Sequence, residues 1–299
     1  MYGQKSSIWT KNAKRDFRTA LSMAGIPIAW WLVIGAFPLI WGISLGFMDW
    51  TSLAAEPTFN GLNNFILFFT SPSYLLALWR SFYIGISSFI LTTLAGFFVA
   101  LGLNSITKGK GILRTVWYVP VITSAVATTQ IFNIFLDPFS GVINNIIMDA
   151  GGEPVFWMDS TGWAVCWILI YSVWKGVGGS ALLWLAGLQS IDKSVLEAAR
   201  VDGANAWQRL VYVSIPQLSR ISLFIFVTGF SGAMQIYEQV MFISGGGPFG
   251  TTEVLAYKIM RDAFWENNFG MAGASSLVMA LVTFAFTIAS FRLMAKDVK

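Results

Sequence analysis

The 299-residue chain contains no histidine and a single cysteine. Without His there are no imidazole metal ligands, Ser–His triads or His general bases. Cys166 cannot form a disulfide within the chain, and its apolar surroundings fit packing better than nucleophilic chemistry. Charge is also scarce: 11% of residues are Asp, Glu, Lys or Arg, against about 25% in ordinary soluble domains. A soluble protein of this length covers its surface with charge, and this chain has too little to do so. What it has is 56% apolar residues and 16% aromatics, including 14 Trp, a residue that favours membrane–water interfaces. The composition specifies a protein that lives in a membrane.

The charges that exist leave long gaps between them. Crossing the hydrocarbon core takes about 20 apolar residues in a helix. No charge lies between Arg18 and Asp49, nor within Ser81–Thr107, Thr115–Leu136, Ile221–Tyr237 or Asn267–Phe291; Gly162–Leu188 is interrupted only by Lys175. These runs predict an all-α integral membrane fold with six transmembrane helices, at 21–47, 79–104, 114–136, 161–187, 218–243 and 269–294. The first run is about twice the apolar core of a cleaved signal peptide, so it reads as a retained span. The expected organisation is a basic N-terminus (1–20), a six-span unit (21–295) and a short tail (296–299).

Orientation follows from Lys and Arg. Fifteen of the nineteen lie in the N-terminus, the 108–114 loop, the 193–220 loop and the tail, whereas Arg80, Lys258 and Arg261 fall on the opposite side and Lys175 lies inside a span. Both termini are therefore expected in the cytoplasm, and the basic balance reflects topology rather than nucleic-acid binding. The outer loops carry turn-forming sequences: Phe59–Phe65, Asp137–Gly141 with Asn144-Asn145, and Ser244–Pro248. Gly245–Thr252 comes close to a phosphate-binding loop. It has Thr251 where the Lys belongs, no preceding strand and an outer location, so it reads as a flexible turn and not an ATP site.

The segment between the fourth and fifth spans (188–217) has more grammar. Asp192 or Ser194 can cap a short helix, and Ser194 with Glu197 has capping-box spacing. Ala198 and Ala199 combine helix propensity with small volume, so another surface can approach closely. Gly203 can end that helix. Asn205 can cap a second one, in which Trp207, Leu210 and Val211 share a face, and Pro216 suits the start of span five. Taken alone, this is a pair of capped helices joined at a glycine.

The loop resembles the hallmark of permease subunits of binding-protein-dependent ABC importers: Glu-Ala-Ala, three residues, Gly, nine residues, Ile-x-Leu-Pro. Here the run is Glu197-Ala198-Ala199, three residues, Gly203, nine residues, Val213-Ser214-Ile215-Pro216, with mild changes at 213 and 215. Leu185–Ile191, Gly61–Phe65, Asp137–Asn144 and Gly245–Pro248 resemble the carbohydrate-uptake branch, the subunit type of the larger maltose permease and the first glycerol-3-phosphate permease, without the long outer insertion of the maltose subunit.

The resemblance implies a multi-pass bacterial inner-membrane subunit. Its Glu197, Ala198, Ala199, Asp202, Gly203 and Pro216 form a coupling helix and its setting, docking on a separate ATPase. The implied assembly adds a second homologous six-span permease, two ATPases that bind ATP–Mg, and an extracellular solute-binding protein. The chain itself is expected to hold no cofactor or metal and to be no enzyme.

Charges inside spans are costly and are functional suspects. Tyr237-Glu238 near Gln235 conforms to an aromatic–acidic pair common in that family. With Trp174 these are candidates for a sugar path, since sugars stack on aromatics and bind by hydrogen bonds; Glu238 alternatively sits at the interface and serves the outer loop. Lys175 can snorkel or pair with a carboxylate. Gly42 and Gly46 have the spacing of close helix contact. The rival function is an ion-coupled secondary transporter using Glu238 and Lys175, which has no need of the 197–216 loop. An intramembrane enzyme lacks the His or paired acids it requires.

Overall fold

The computed structural model describes residues 11–54 and 56–294. The tail 296–299 and the first ten residues, Lys5 among them, lie outside the described residues. Helix α1 (Lys11–Trp31) continues through a π-helical turn, Leu32–Ala36, into α2 (Phe37–Leu45). This rod is the expected first span, begun earlier than residue 21, and none of its described side chains is fully buried within the chain. Its C-terminal end docks on the last helix. A Cβ on Gly46 would lie 2.9 Å from the Ala274 nitrogen, and one on Gly273 would lie 2.6 Å from the Gly46 nitrogen and 2.9 Å from the Gly42 carbonyl oxygen. The Gly42/Gly46 spacing thus marks a true backbone-to-backbone contact.

After this rod a small cap forms. Strand β1 (Met48–Asp49) pairs antiparallel with β2 (Thr58–Phe59), Met48 opposite Phe59. Helix α3 (Asn63–Thr70) leads to α4 (Pro72–Ser105), where Pro72 occupies the first turn, a position that needs no N–H partner. Next come α5 (Lys110–Ile122), α6 (Ala125–Leu136), the outer helix α7 (Val142–Asp149) and α8 (Thr161–Ser190). The 188–217 loop holds α9 (Lys193–Val201), α10 (Ala206–Gln208), a π turn (Arg209–Ser214) and α11 (Ile215–Gln217). Helix α12 (Ser219–Met234), a π turn (Val240–Ser244), outer helix α13 (Leu255–Phe264) and α14 (Phe269–Met294) complete the fold.

Four helices are individually long and apolar enough to span: the first rod, α4, α8 and α14. The other two expected spans are broken, a correction to the uninterrupted helices predicted at 114–136 and 218–243. Thr123 and Ser124 are extended, and α5 and α6 meet there at 91°. The fifth span begins at a 68° elbow between α11 and α12, and α12 stops at Met234, with Gln235–Tyr237 non-helical before the π turn. Hydropathy registers only that both halves of such a span are apolar.

The long α4 and α8 form the main seam, against which α5 and α12 pack. The half of it nearest the 188–217 loop is a cluster of Ala100, Leu103, Trp184, Leu185, Leu188, Ile191, Leu218 and Ile225. The other half gathers Ile84, Ile168, Tyr171, Val240, Val254 and Tyr257. A third cluster, Phe68, Leu255, Met271 and Val278, ties α3 and α13 to α14.

Candidate functional site

The 188–217 loop folds from its caps outward. Asp192 Oδ1 accepts from the Ser194 N–H at 2.9 Å and begins α9; the Ser194 hydrogen bonds hold the Asp192 carboxylate below its usual range. Ser194 is therefore inside the first turn, and the predicted Ser194–Glu197 capping box gives way to an Asp192 cap. At the other end Gly203 adopts φ +83°, with Ala204 N–H on the Ala199 carbonyl at 3.0 Å and Gly203 N–H on the Arg200 carbonyl at 3.1 Å. This is a Schellman closure, and it needs a residue that enters the left-handed region cheaply. Asn205 starts the next helix with a complete capping box: Gln208 N–H to Asn205 Oδ1 at 2.9 Å and Asn205 N–H to Gln208 Oε1 at 2.8 Å.

The loop has an anchored side and a free side. Leu196 packs on the inner core cluster, flanked by the buried Ile191 and Leu218. Glu197, Ala198, Asp202 and Gly203 are exposed and Ala199 half-buried, so most of the hallmark faces outward. Apolar side chains stand exposed beside it: Val201 at 87%, Trp207 at 69% and Tyr212 at 76%. These side chains leave apolar surface that the described residues do not cover. Behind α9 a cavity of about 520 Å³ is lined by Lys193, Glu197, Arg200 and Arg209, with Asn104 and Ser105 from the end of α4. Pro216 sits in the first turn of α11, directly before the elbow to α12, rather than at the start of a straight span.

Within the membrane, a cavity of about 330 Å³ opens between α4, α8 and α12. Ser88, Thr92, Thr93, Ser172, Ser180 and Thr228 line it, together with Lys175 and Gln239. The sequence reading found only Lys175 of this set, because a lone Ser or Thr in an apolar helix has a ready alternative partner in its own backbone. Lys175 neither snorkels nor meets a carboxylate: its Nζ donates to the Pro120 carbonyl at 2.9 Å and to the Thr123 carbonyl at 2.5 Å, at the α5–α6 bend. The freed carbonyls of the broken helix and the costly cation satisfy each other.

The four sequence candidates for the path do not converge. Trp174 packs, tilted by 47°, against Phe132 (5.5 Å) and Tyr171 (6.2 Å). Gln235 lines a different groove of about 420 Å³ with Ser276, Thr283 and Thr287 of α14. Tyr237 and Glu238 lie at the break of the fifth span, partly exposed. The break sends Gln235 towards α14 and Gln239 into the cavity.

The end of the fold opposite the 188–217 loop is held by buried polar groups that sequence patterns hinted at. Asn64 Nδ2 donates to the Gly46 carbonyl at 3.1 Å and the Met48 carbonyl at 2.8 Å, joining α3 to the first rod. Asn144, fully buried, donates to the carbonyls of Pro138 (3.0 Å) and Val155 (2.9 Å) and accepts from the Val155 N–H (3.1 Å). The Gly245–Thr252 turn is pinned rather than loose: Thr252 Oγ1 donates to the Gly247 carbonyl at 2.6 Å and shares a hydrogen bond with Ser244 at 2.8 Å.

On α13 an ion network escaped the sequence reading. Arg261 pairs with Glu253 at 2.9 Å and Glu266 at 3.0 Å. Lys258 lies 3.7 Å from Glu253, 4.0 Å from Asp262 and 4.3 Å from the centre of the Tyr74 ring. Asp262 is fully buried and accepts from Tyr74 Oη at 2.8 Å; desolvation pushes its carboxyl up to about 6 despite Lys258. The i, i+4 spacing of Lys258 and Asp262 was the available signal.

Comparison with known proteins bears on this arrangement. The lactose transport system permease protein LacF of Rhizobium radiobacter is 30% identical over 78% of this chain and 80% of its own. The multiple sugar-binding transport system permease protein MsmF of Streptococcus mutans is 25% identical over 91% of this chain and 93% of its own. The fold is shared with a chain of a bacterial ABC transporter that imports the acidic polysaccharide alginate: TM-score 0.85, 22% identity, covering 97% of this chain and 99% of the other. A family model matches residues 17–296, and on that match this multi-pass inner-membrane chain belongs to the binding-protein-dependent transport system inner membrane components.

Proposed function

We propose that the chain is the membrane subunit of an ATP-driven importer that moves a sugar, or a related polyol or sugar derivative, into the cytoplasm by alternating access. The lactose and multiple-sugar relatives and the alginate importer fold support the carbohydrate class. The observation that carries the mechanism is the two-sided loop between the fourth and fifth spans. Its exposed Glu197, Ala198, Ala199, Asp202 and Gly203 face forms the docking surface for a separate ATPase, and Leu196 roots the same helix in the α4–α8–α12 core. A push on α9 then reaches the spans without a flexible intermediate.

In this reading both termini and the loop are cytoplasmic, and a second homologous permease completes the pathway. Two ATPase subunits bind ATP–Mg, and an extracellular binding protein delivers the solute to the outer cap. The solute passes the hydroxyl-lined cavity, and the candidates Trp174, Tyr237, Glu238 and Gln235 would meet it outside that cavity, Gln235 from the neighbouring groove on α14.

The test is Glu197→Lys in the full transporter reconstituted in vesicles with its binding protein. The expected result is normal insertion, weaker co-purification of the ATPase, and reduced uptake and ATPase stimulation. Near-normal uptake by that variant would refute the docking role. Wild-type uptake that survives ATP depletion but collapses with the proton gradient would refute the importer reading and favour the secondary transporter.

A further inference from the structure

We infer that the membrane cavity recognises a carbohydrate or polyol bearing an anionic group, a carboxylate or a phosphate, through Lys175. The inference rests on the cavity being the solute path proposed above, and it adds the charge class of the solute. Lys175 stands halfway along α8, where a cation is expensive. A protonated ammonium has three N–H donors, and two of Lys175's are taken by the Pro120 and Thr123 carbonyls. Those acceptors are neutral peptide groups at the end of α5. A helix C-terminus carries the equivalent of about half an elementary negative charge, so the cation is only partly balanced.

Among the described residues no ion pair completes the balance. The ion pairs among the described residues belong to the outer cluster on α13, not to Lys175. The cavity lining contains no acidic side chain, and Lys175 itself is half-buried, open to the cavity. A solute anion placed against the third N–H completes both the hydrogen bonding and the charge, which is the arrangement that makes a buried charge tolerable.

The rest of the lining suits the sugar part of the solute. Its volume, about 330 Å³, falls at the small end of small-molecule sites. Ser and Thr hydroxyls donate as well as accept, so they serve sugar hydroxyls and an anion's outer oxygens alike. Ser180 Oγ is buried with no hydrogen-bond partner among the described residues, although it lines this space. Gln239, just beyond the break of the fifth span, adds an amide from the outer side. The two carbonyl bonds fix the ammonium in place before the solute arrives, so little ordering is left for binding.

The experiment uses the assembled transporter, purified with its partner permease and ATPase, and reads the thermal unfolding midpoint. The probes are glycerol 3-phosphate against glycerol, glucuronate against glucose, and inorganic phosphate alone as a control for anion binding without a polyol. The expected result is a midpoint raised by the anionic member of at least one pair and not by its neutral isostere. A response to glycerol 3-phosphate only, or to glucuronate only, names the anion as phosphate or carboxylate. Lys175→Gln keeps a donor for the carbonyls and removes the charge, so it should weaken the anionic response at least tenfold; Lys175→Arg should retain part of it.

Equal responses to both members of each pair would overturn the inference. So would an anionic response that survives Lys175→Gln, a response to inorganic phosphate as large as to any polyol, or silence from every probe, as when a partner-permease carboxylate already neutralises Lys175. If Lys175→Gln does not assemble, Lys175→Met, a neutral side chain of similar length, carries the comparison, and an anionic response that survives it counts against the inference. ATP-driven uptake by the same preparation separates a failure of this inference from a failure of the importer reading.

Discussion

Replacing Gly203 isolates a backbone position that closes the joint between α9 and α10. Its φ of +83° lies where an L-residue is strained, yet nothing stands within 4 Å of where a Cβ would be. Substitution therefore costs backbone strain and no steric clash within the chain. For Ala that strain is about 1–2 kcal/mol, less for Asn, which enters this region several-fold more readily, and more for a β-branched residue. A cost of about 1–2 kcal/mol lowers the population of the correct turn by a factor of about 5–30. Pro fixes φ near −65° and removes the N–H that bonds the Arg200 carbonyl at 3.1 Å, so it abolishes the closure.

The expected order of coupled ATPase activity in reconstituted vesicles is Gly, then Asn, Ala, Val and Pro, with insertion unchanged throughout. Uptake and ATPase stimulation should fall together if the joint has the proposed docking role. Wild-type activity in transporters carrying Gly203→Ala and Gly203→Val would refute the reasoning. An order that follows side-chain volume instead of backbone strain would do the same, because it would show a partner packed where this chain leaves open space.

Asn144→Ala removes three hydrogen bonds and strands the Val155 amide and two carbonyls, at about 1–3 kcal/mol for each group left without water. It should lower the thermal midpoint and speed proteolysis between 137 and 160 from the outer side. Asp262 has a folded carboxyl near 6 against 3.8 as the unperturbed value, so the folded state holds the proton more tightly. Its contribution to stability is then greatest at and below about pH 4 and is lost as pH rises through 6, by about 3 kcal/mol in all. Asp262→Asn should flatten that part of a stability–pH curve, and an unchanged curve would exclude the carboxyl as its source. Gly46→Leu drives a side chain into the Ala274 backbone 2.9 Å from the Cβ position, and should loosen the first rod from α14, seen as faster cysteine labelling along that face.

The spans were legible because charge is so costly in hydrocarbon that its absence marks each helix, whatever its shape. Shape itself was not legible. Thr123-Ser124 breaks the third span without any polar run, and the one local hint, Pro120, also occurs harmlessly within long membrane helices. Gln235 looked like a polar residue on a continuous helix and is the point where that helix ends. The loop was read more fully because capping is local: Gly203 and Asn205 act as their types predict, while Ser194 lost the cap to Asp192 two residues earlier. Lys175 was flagged as costly, but its partners come from 52 and 55 residues away and are backbone atoms, which no side-chain pattern announces.

The break above α12 has a mechanical corollary. Sixteen residues make a rod about 24 Å long, so a foot displaced by about 4 Å would tilt it by about 10°. A continuous helix would deliver the whole of that swing to the outer face. Here the rod ends at Gln235, and the pinned Ser244–Thr252 turn lies beyond a non-helical break. In the proposed alternating-access cycle, such a break lets the two ends of the fifth span move separately, so that one can swing open while the other stays shut, the condition a carrier must meet to avoid becoming a channel.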